Sequence, residues 1–178
     1  MPLASLVFVP LAVLLDRSLA AQLPRPSTLV DVAVVVGVLA GVVQAAGFAR
    51  WTFAVPYPAE TFTDPASSPA TRDAVLVVFD VLHRFVGGGL GEHLGFGLTA
   101  VWTAAVAVLL ARTPGVPRLV PAAGLLAAAM FGTGVVELTG ASWPSLPVAA
   151  GYPLFALWLV GVAVVPLRRR PAEVITTR

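Results

Sequence analysis

Apolar residues run along this chain in long unbroken stretches rather than recurring on one face or alternating. "LVDVAVVVGVLAGVVQAAGFA" (29–49), "LGEHLGFGLTAVWTAAVAVLLA" (90–111), "LVPAAGLLAAAMFGTGVVELTGA" (119–141) and "PVAAGYPLFALWLVGVAVVPL" (147–167) stand out. Each reaches the roughly twenty residues that cross ~30 Å of hydrocarbon. A shorter run, "PLASLVFVPLAVLL" (2–15), contains Pro10 and is interrupted by Asp16 and Arg17. We read it as a short span in preference to a secretory signal cleaved after "SLA" (18–20), because no basic residue precedes it. In lipid every backbone polar group must be satisfied internally, so continuous apolar runs predict helices rather than the strands of a barrel. The expected fold class is all-α: a single polytopic membrane domain over residues 1–178, with about five transmembrane helices plus one outer amphipathic helix.

That amphipathic helix lies in the long connection 50–89. Its first part, "WTFAVPYPAETFTDPASSPATR", is Pro-rich and reads as irregular, with aromatics suited to the membrane interface. Ser68 followed by Pro69 marks a helix start, a hydroxyl cap with proline at the first helical position. At 100° per residue Asp73, Asp80 and Arg84 share one arc, and Val75, Val78, Phe79, Leu82 and Val86 lie opposite. Asp80 and Arg84 read as a solvated ion pair. The triple glycine Gly87-Gly88-Gly89 offers a turn into the next span.

Composition agrees with the pattern: 58% hydrophobic and 11% charged, against the ~25% charged of ordinary soluble domains. Cysteine is absent, which excludes disulfides and thiolate metal sites. Lys and Asn are also absent and Ala, Val, Gly, Pro and Arg abound, the bias of a GC-rich, bacterial genome. Charge position matters more than its sum. Arg17, Arg25, Arg112, Arg118 and the tail arginines (Arg168, Arg169, Arg170, Arg178) fall on one side of the predicted alternation; Arg50, Arg72 and Arg84 fall on the other. Arginine-rich loops stay cytoplasmic. The expectation is a multi-pass protein of the cell membrane with its N terminus outside and its tail, 168–178, in the cytoplasm.

Gly87, Gly91, Gly95, Thr99, Thr103, Ala107 and Ala111 recur every four residues, and Gly124, Ala128 and Gly132 repeat the spacing in the next span. Small-residue stripes let membrane helices approach closely, within the chain or toward a second copy or membrane partner. The lipid bilayer itself is the first expected partner, and nothing suggests nucleic acid. Packing leaves Glu92 and His93 unexplained. The alternation puts both at the same membrane face as Arg50 and Glu137, with Asp80 and His83 above them on the amphipathic helix. Ionisable residues inside spans are costly and usually pair with one another or face a cavity. One reading is a polar clasp, Arg50 neutralised by Glu92 or Glu137 with His93 between. Another is a metal site from His83, Glu92 and His93, although ten residues of straight helix separate the histidines by ~15 Å. That spacing also disfavours a bis-histidine haem. A third reading is proton or solute movement, against which stand the small size and lack of repeats. No cofactor is specified.

The segment 49–103 resembles the DUF4386 family of uncharacterised bacterial multi-pass membrane proteins. The residues that carry the resemblance are Arg50-Trp51, "DPASSPATRDA", His83, and "GEHLG" with Trp102 downstream. The resemblance implies an all-helical membrane protein with one more span than is read here, hence a shortened first segment. It implies no activity, substrate or cofactor. The reading that follows is a non-enzymatic ligand-binding, sensory or partner-binding membrane component with an outward-facing polar cluster. The alternatives are a metal-dependent membrane enzyme using Glu92 and His93, and a small transporter or channel subunit.

Overall fold

The unbroken apolar sequence becomes unbroken helix. The structure, a computed structural model, describes residues 2–23, 27–136 and 146–164, and every regular element among them is helical. In chain order these are α1 (Pro2–Ala20), α2 (Thr28–Phe53), α3 (Pro56–Thr63), α4 (Pro69–Leu82), a π-helical stretch (His83–Leu94), α5 (Gly95–Ala111), α6 (Leu119–Val136) and α7 (Leu146–Val164). Among the described residues four helical runs are long and apolar enough to cross a membrane: Thr28–Thr63, Pro69–Ala111, Leu119–Val136 and Pro147–Val164. Helix α1 packs along α2, α2 packs on α5, and α6 is sandwiched between α5 and α7.

One aromatic cluster holds the bundle together. Trp102, fully buried in the middle of α5, meets Phe8 of α1 edge-on at 4.7 Å between ring centroids, Trp158 of α7 at 6.1 Å and Phe155 at 6.3 Å. Leu15, Leu19, Val30, Val106 and Leu109 complete its surroundings. Lipid is as apolar as these side chains, so dispersion contacts and close backbone approach, not water exclusion, favour this packing.

Several local expectations hold. The Ser68 side chain accepts a hydrogen bond from the Thr71 amide at 3.1 Å, with Pro69 opening α4. Val75, Phe79, Leu82 and Val86 turn inward, half-buried, while Val78 is exposed and belongs to the other face. The Asp80–Arg84 pair forms at 2.9 Å in an exposed position.

Four others are corrected. Asp16 and Arg17 do not end the first helix: α1 continues to Ala20, and Asp16 is buried, accepting a hydrogen bond from the Trp102 indole at 3.3 Å. The stretch read as irregular contains α3, started by Pro56 and packed on α4 as a helical hairpin. Gly87-Gly88-Gly89 does not turn. Among the described residues the positive-φ glycine is Gly115, in the α5–α6 connection, and the triple glycine instead lies in a helical run of 43 residues, Pro69–Ala111. At 1.5 Å per residue that run is ~60 Å long, about twice the hydrocarbon thickness, so α4 extends beyond it. In α6, Gly124 is close-packed as the stripe requires, against Trp158 and Ala107, but Gly132 faces open space and Gly134, outside the stripe, packs against Phe96 and Val148.

Candidate functional site

The site is built where α2 passes the π-helical stretch. An α-helix of twenty-six residues, as α2 is, spans ~39 Å, so its last turn, which carries Arg50, lies at the edge of the hydrocarbon. There the two backbones nearly touch. A Cβ on Gly91 would meet the Gly47 Cα at 3.0 Å, and one on Gly47 would fall onto Gly91. In an α-helix a four-residue repeat drifts about 40° per step, since each residue turns 100°. The wider i→i+5 turns of the π-helix, seen in the Gly95 amide donating to the Leu90 carbonyl, reduce that drift and keep Gly87, Gly91 and Gly95 toward α2. Long π-helical stretches are rare and concentrate at functional sites. This one makes room for a guanidinium.

Arg50 fills that room. Its side chain is 8% exposed, and a Cβ on Gly87 would lie 2.5 Å from its Cζ, so a larger residue at position 87 would push the guanidinium from its place. Nη1 donates to the Gly47 carbonyl at 3.1 Å, and Cζ stands 5.1 Å from the centre of the Trp51 ring. Nη2 approaches Glu92 Oε1 to 3.7 Å, inside ion-pair range but beyond hydrogen-bond length. Nε is buried with no hydrogen-bond partner. The edge formed by Nε and Nη2, the one that takes a carboxylate or phosphate in two parallel bonds, therefore lacks a close acceptor.

Arg50 also borders a half-open cavity of about 290 Å³, lined with it by Gln44, Gly47, Phe48, Gly91, Glu92, Phe96 and Tyr152. Gln44 is fixed by donating to Thr99 Oγ at 2.6 Å, while Thr99 donates to the Gly95 carbonyl at 2.8 Å. Phe96 and Tyr152 meet edge-on at 6.0 Å and form the wall contributed by α5 and α7.

The residues singled out in the sequence separate into groups. Arg50 and Glu92 come together. His93 sits close by, half-buried, with Nδ1 2.6 Å from the Gly88 carbonyl. A carbonyl only accepts, so Nδ1 carries the proton, and the buried Nε2 has no partner. His83 is on the outer hairpin, stacked on Phe79 at 5.6 Å and edge-on to Trp51 at 6.2 Å. Asp80 is engaged with Arg84 in water. Glu137 lies outside the described residues.

The metal set His83, Glu92 and His93 is not assembled: among the described residues no three His, Asp or Glu side chains could hold one ion. The physical reason is the missing bend, because the helix runs straight on through the triple glycine and keeps the two histidines apart. The sequence reading missed Phe48, Phe96 and Tyr152 as cavity walls. Tyr152 carried a usable signal, a phenol within an otherwise apolar span. The stripe glycines are occupied within the chain, Gly91 on Gly47 and Gly95 on Gln44.

Neither a curated protein nor a solved structure matches the chain. The model of one family, described as a domain of unknown function, matches residues 2–162. An all-helical membrane protein with an arginine cradled by glycines at one end of its bundle, this chain belongs to the DUF4386 family.

Proposed function

We propose that the protein is a ligand-binding membrane component whose binding place is the Arg50 cavity. One observation carries the reading: a guanidinium nine-tenths buried, with an unfilled hydrogen-bonding edge, lines a cavity instead of being closed over by protein. A structural clasp brings donor and acceptor to ~2.7–2.9 Å; the Arg50–Glu92 separation of 3.7 Å leaves the guanidinium able to accept another anion. A cavity near 290 Å³ stands at the lower limit of small-molecule sites, ~300 Å³. In this reading the cavity opens on the outer face, with the N terminus outside and the C terminus cytoplasmic, supported by the arginine distribution.

The absence of cysteine from the chain makes a direct test available. Tyr152→Cys, in the cavity wall, should react in intact cells with a membrane-impermeant methanethiosulfonate bearing a sulfonate. Leu157→Cys, exposed on α7 toward lipid, should not. Combining Tyr152→Cys with Arg50→Gln should slow the sulfonate reagent and spare its ammonium counterpart. Should Tyr152→Cys prove as inert as Leu157→Cys, no water-accessible cavity exists and the reading fails.

A further inference from the structure

The geometry points to a ligand of defined class: a singly charged amphipath, its carboxylate or phosphodiester on the free edge of Arg50 and its apolar tail leaving the protein between Phe48 and Tyr152. This rests on the binding reading above and specifies what is bound.

Charge follows from the pair already present. Arg50 and Glu92 together are neutral, and Glu92, with a side chain 53% exposed, is free to swing into water. A ligand anion that takes the Nε–Nη2 edge replaces Glu92 as the counter-ion of Arg50. A single negative charge restores neutrality; a dianion would leave an excess charge at the hydrocarbon edge, where uncompensated charge is costly. The planar fork of a guanidinium selects a group with two oxygens side by side, which carboxylates and phosphodiesters both offer.

The tail follows from size and surroundings. About 290 Å³ stands at the lower limit of small-molecule sites, enough for a head and the first few carbons but not for a long chain. The walls beyond the guanidinium are Phe48 and Tyr152, 40% and 49% exposed on the bundle surface. In a membrane the outer sides of these rings face acyl chains and their inner sides the cavity. A tail passing between the rings stays in hydrocarbon while the head reaches Arg50, which sits at headgroup depth in the last turn of α2. A free fatty acid and an anionic phospholipid share this chemistry.

The test uses the full chain in a neutral detergent, with native mass spectrometry counting bound molecules. Its probes are oleate, dioleoylphosphatidylglycerol, the headless oleyl alcohol, and the tailless acetate and inorganic phosphate. One molecule of oleate or of phosphatidylglycerol per chain is expected, and the tighter of the two identifies the source. Oleyl alcohol, which lacks the charge, and the tailless anions, which lack the apolar contact, should each bind at least about tenfold more weakly.

Glu92→Gln, checked as folded by a thermal melt because it removes the counter-ion of Arg50, should tighten both lipidic anions several-fold by removing the competing carboxylate. Binding of oleyl alcohol equal to oleate would overturn the proposal, as would acetate equal to oleate or a looser Glu92→Gln. A reactive Tyr152→Cys with no retained lipidic anion also overturns it, and leaves the cavity as a site for another class. An unreactive Tyr152→Cys removes the binding reading and this proposal together.

Discussion

Two buried charged side chains, Asp16 and Arg50, meet the same physical problem in opposite ways. Each carries an atom without a hydrogen-bond partner, Oδ1 in one and Nε in the other. Asp16 is wholly enclosed, its carboxyl held by the Trp102 indole in the aromatic core that ties α1, α5 and α7 together. Arg50 is surrounded by glycines, lies loosely beside Glu92, and borders a cavity. Burial of a charge costs free energy in either setting. In the core, dense packing offsets that cost. At the Arg50 end Gly47 and Gly91 bring two backbones together, Gly87 leaves room for the guanidinium, and a cavity remains beside it. Burial alone therefore does not mark a site; burial beside unfilled volume does.

The largest effect expected on either side is Trp102→Ala, which removes the side chain shared by Phe8, Phe155, Trp158 and Asp16. By analogy with buried tryptophan truncations it should cost ~3–5 kcal/mol, read as a fall in detergent melting temperature. Next comes Gly47→Leu. Its side chain would collide with the Gly91 backbone, which cannot rotate away, so a loss at or above the ~1–3 kcal/mol of overpacking is expected. Gly97→Leu, whose Cβ would meet only the Val135 side chain, at 3.4 Å, should lose less; equal losses would contradict the close approach of α2.

Asp16→Ala leaves the Trp102 indole unpaired and should destabilise by ~1–3 kcal/mol, whereas Asp16→Asn, which still accepts from the indole, should stay near wild type. Arg84→Ala is the smallest. Its pair with Asp80 is in water, 78% and 57% exposed, and its loss should change stability by no more than ~0.5 kcal/mol in a chemical or thermal melt.

Legibility in the sequence followed the range of the interaction. The Ser68–Pro69 helix start and the inward face of α4 depend on neighbours a few residues away, and both were readable. The four long apolar runs were readable because hydrocarbon thickness dictates their length. Gln44 is visible as a polar residue within an apolar run, but spacing does not name its partner Thr99. Helix α3 was hidden because eight residues with two prolines form a helix here only through packing on α4.

Continuation through Gly87-Gly88-Gly89 was hidden too. Glycine is free to turn, and of the three only Gly87 lies against Arg50, a contact that no local pattern records. The contact between Asp16 and Trp102 spans 86 residues, and the cavity joins α2, the π-helical stretch, α5 and α7. Which faces of separately spanning helices meet is decided by packing, and a pattern within one helix carries no record of its neighbour. For the same reason the metal reading failed: it required a bend that the glycines did not make.

The contrast between the two buried charges is tested most directly by thermal melting of three proteins, wild type, Asp16→Asn and Arg50→Gln, with and without oleate. A ligand that binds only the folded state raises the melting temperature by mass action. Oleate should raise it equally in wild type and Asp16→Asn and leave Arg50→Gln unmoved. Equal shifts in all three proteins would contradict the assignment of the Arg50 cavity as the binding place.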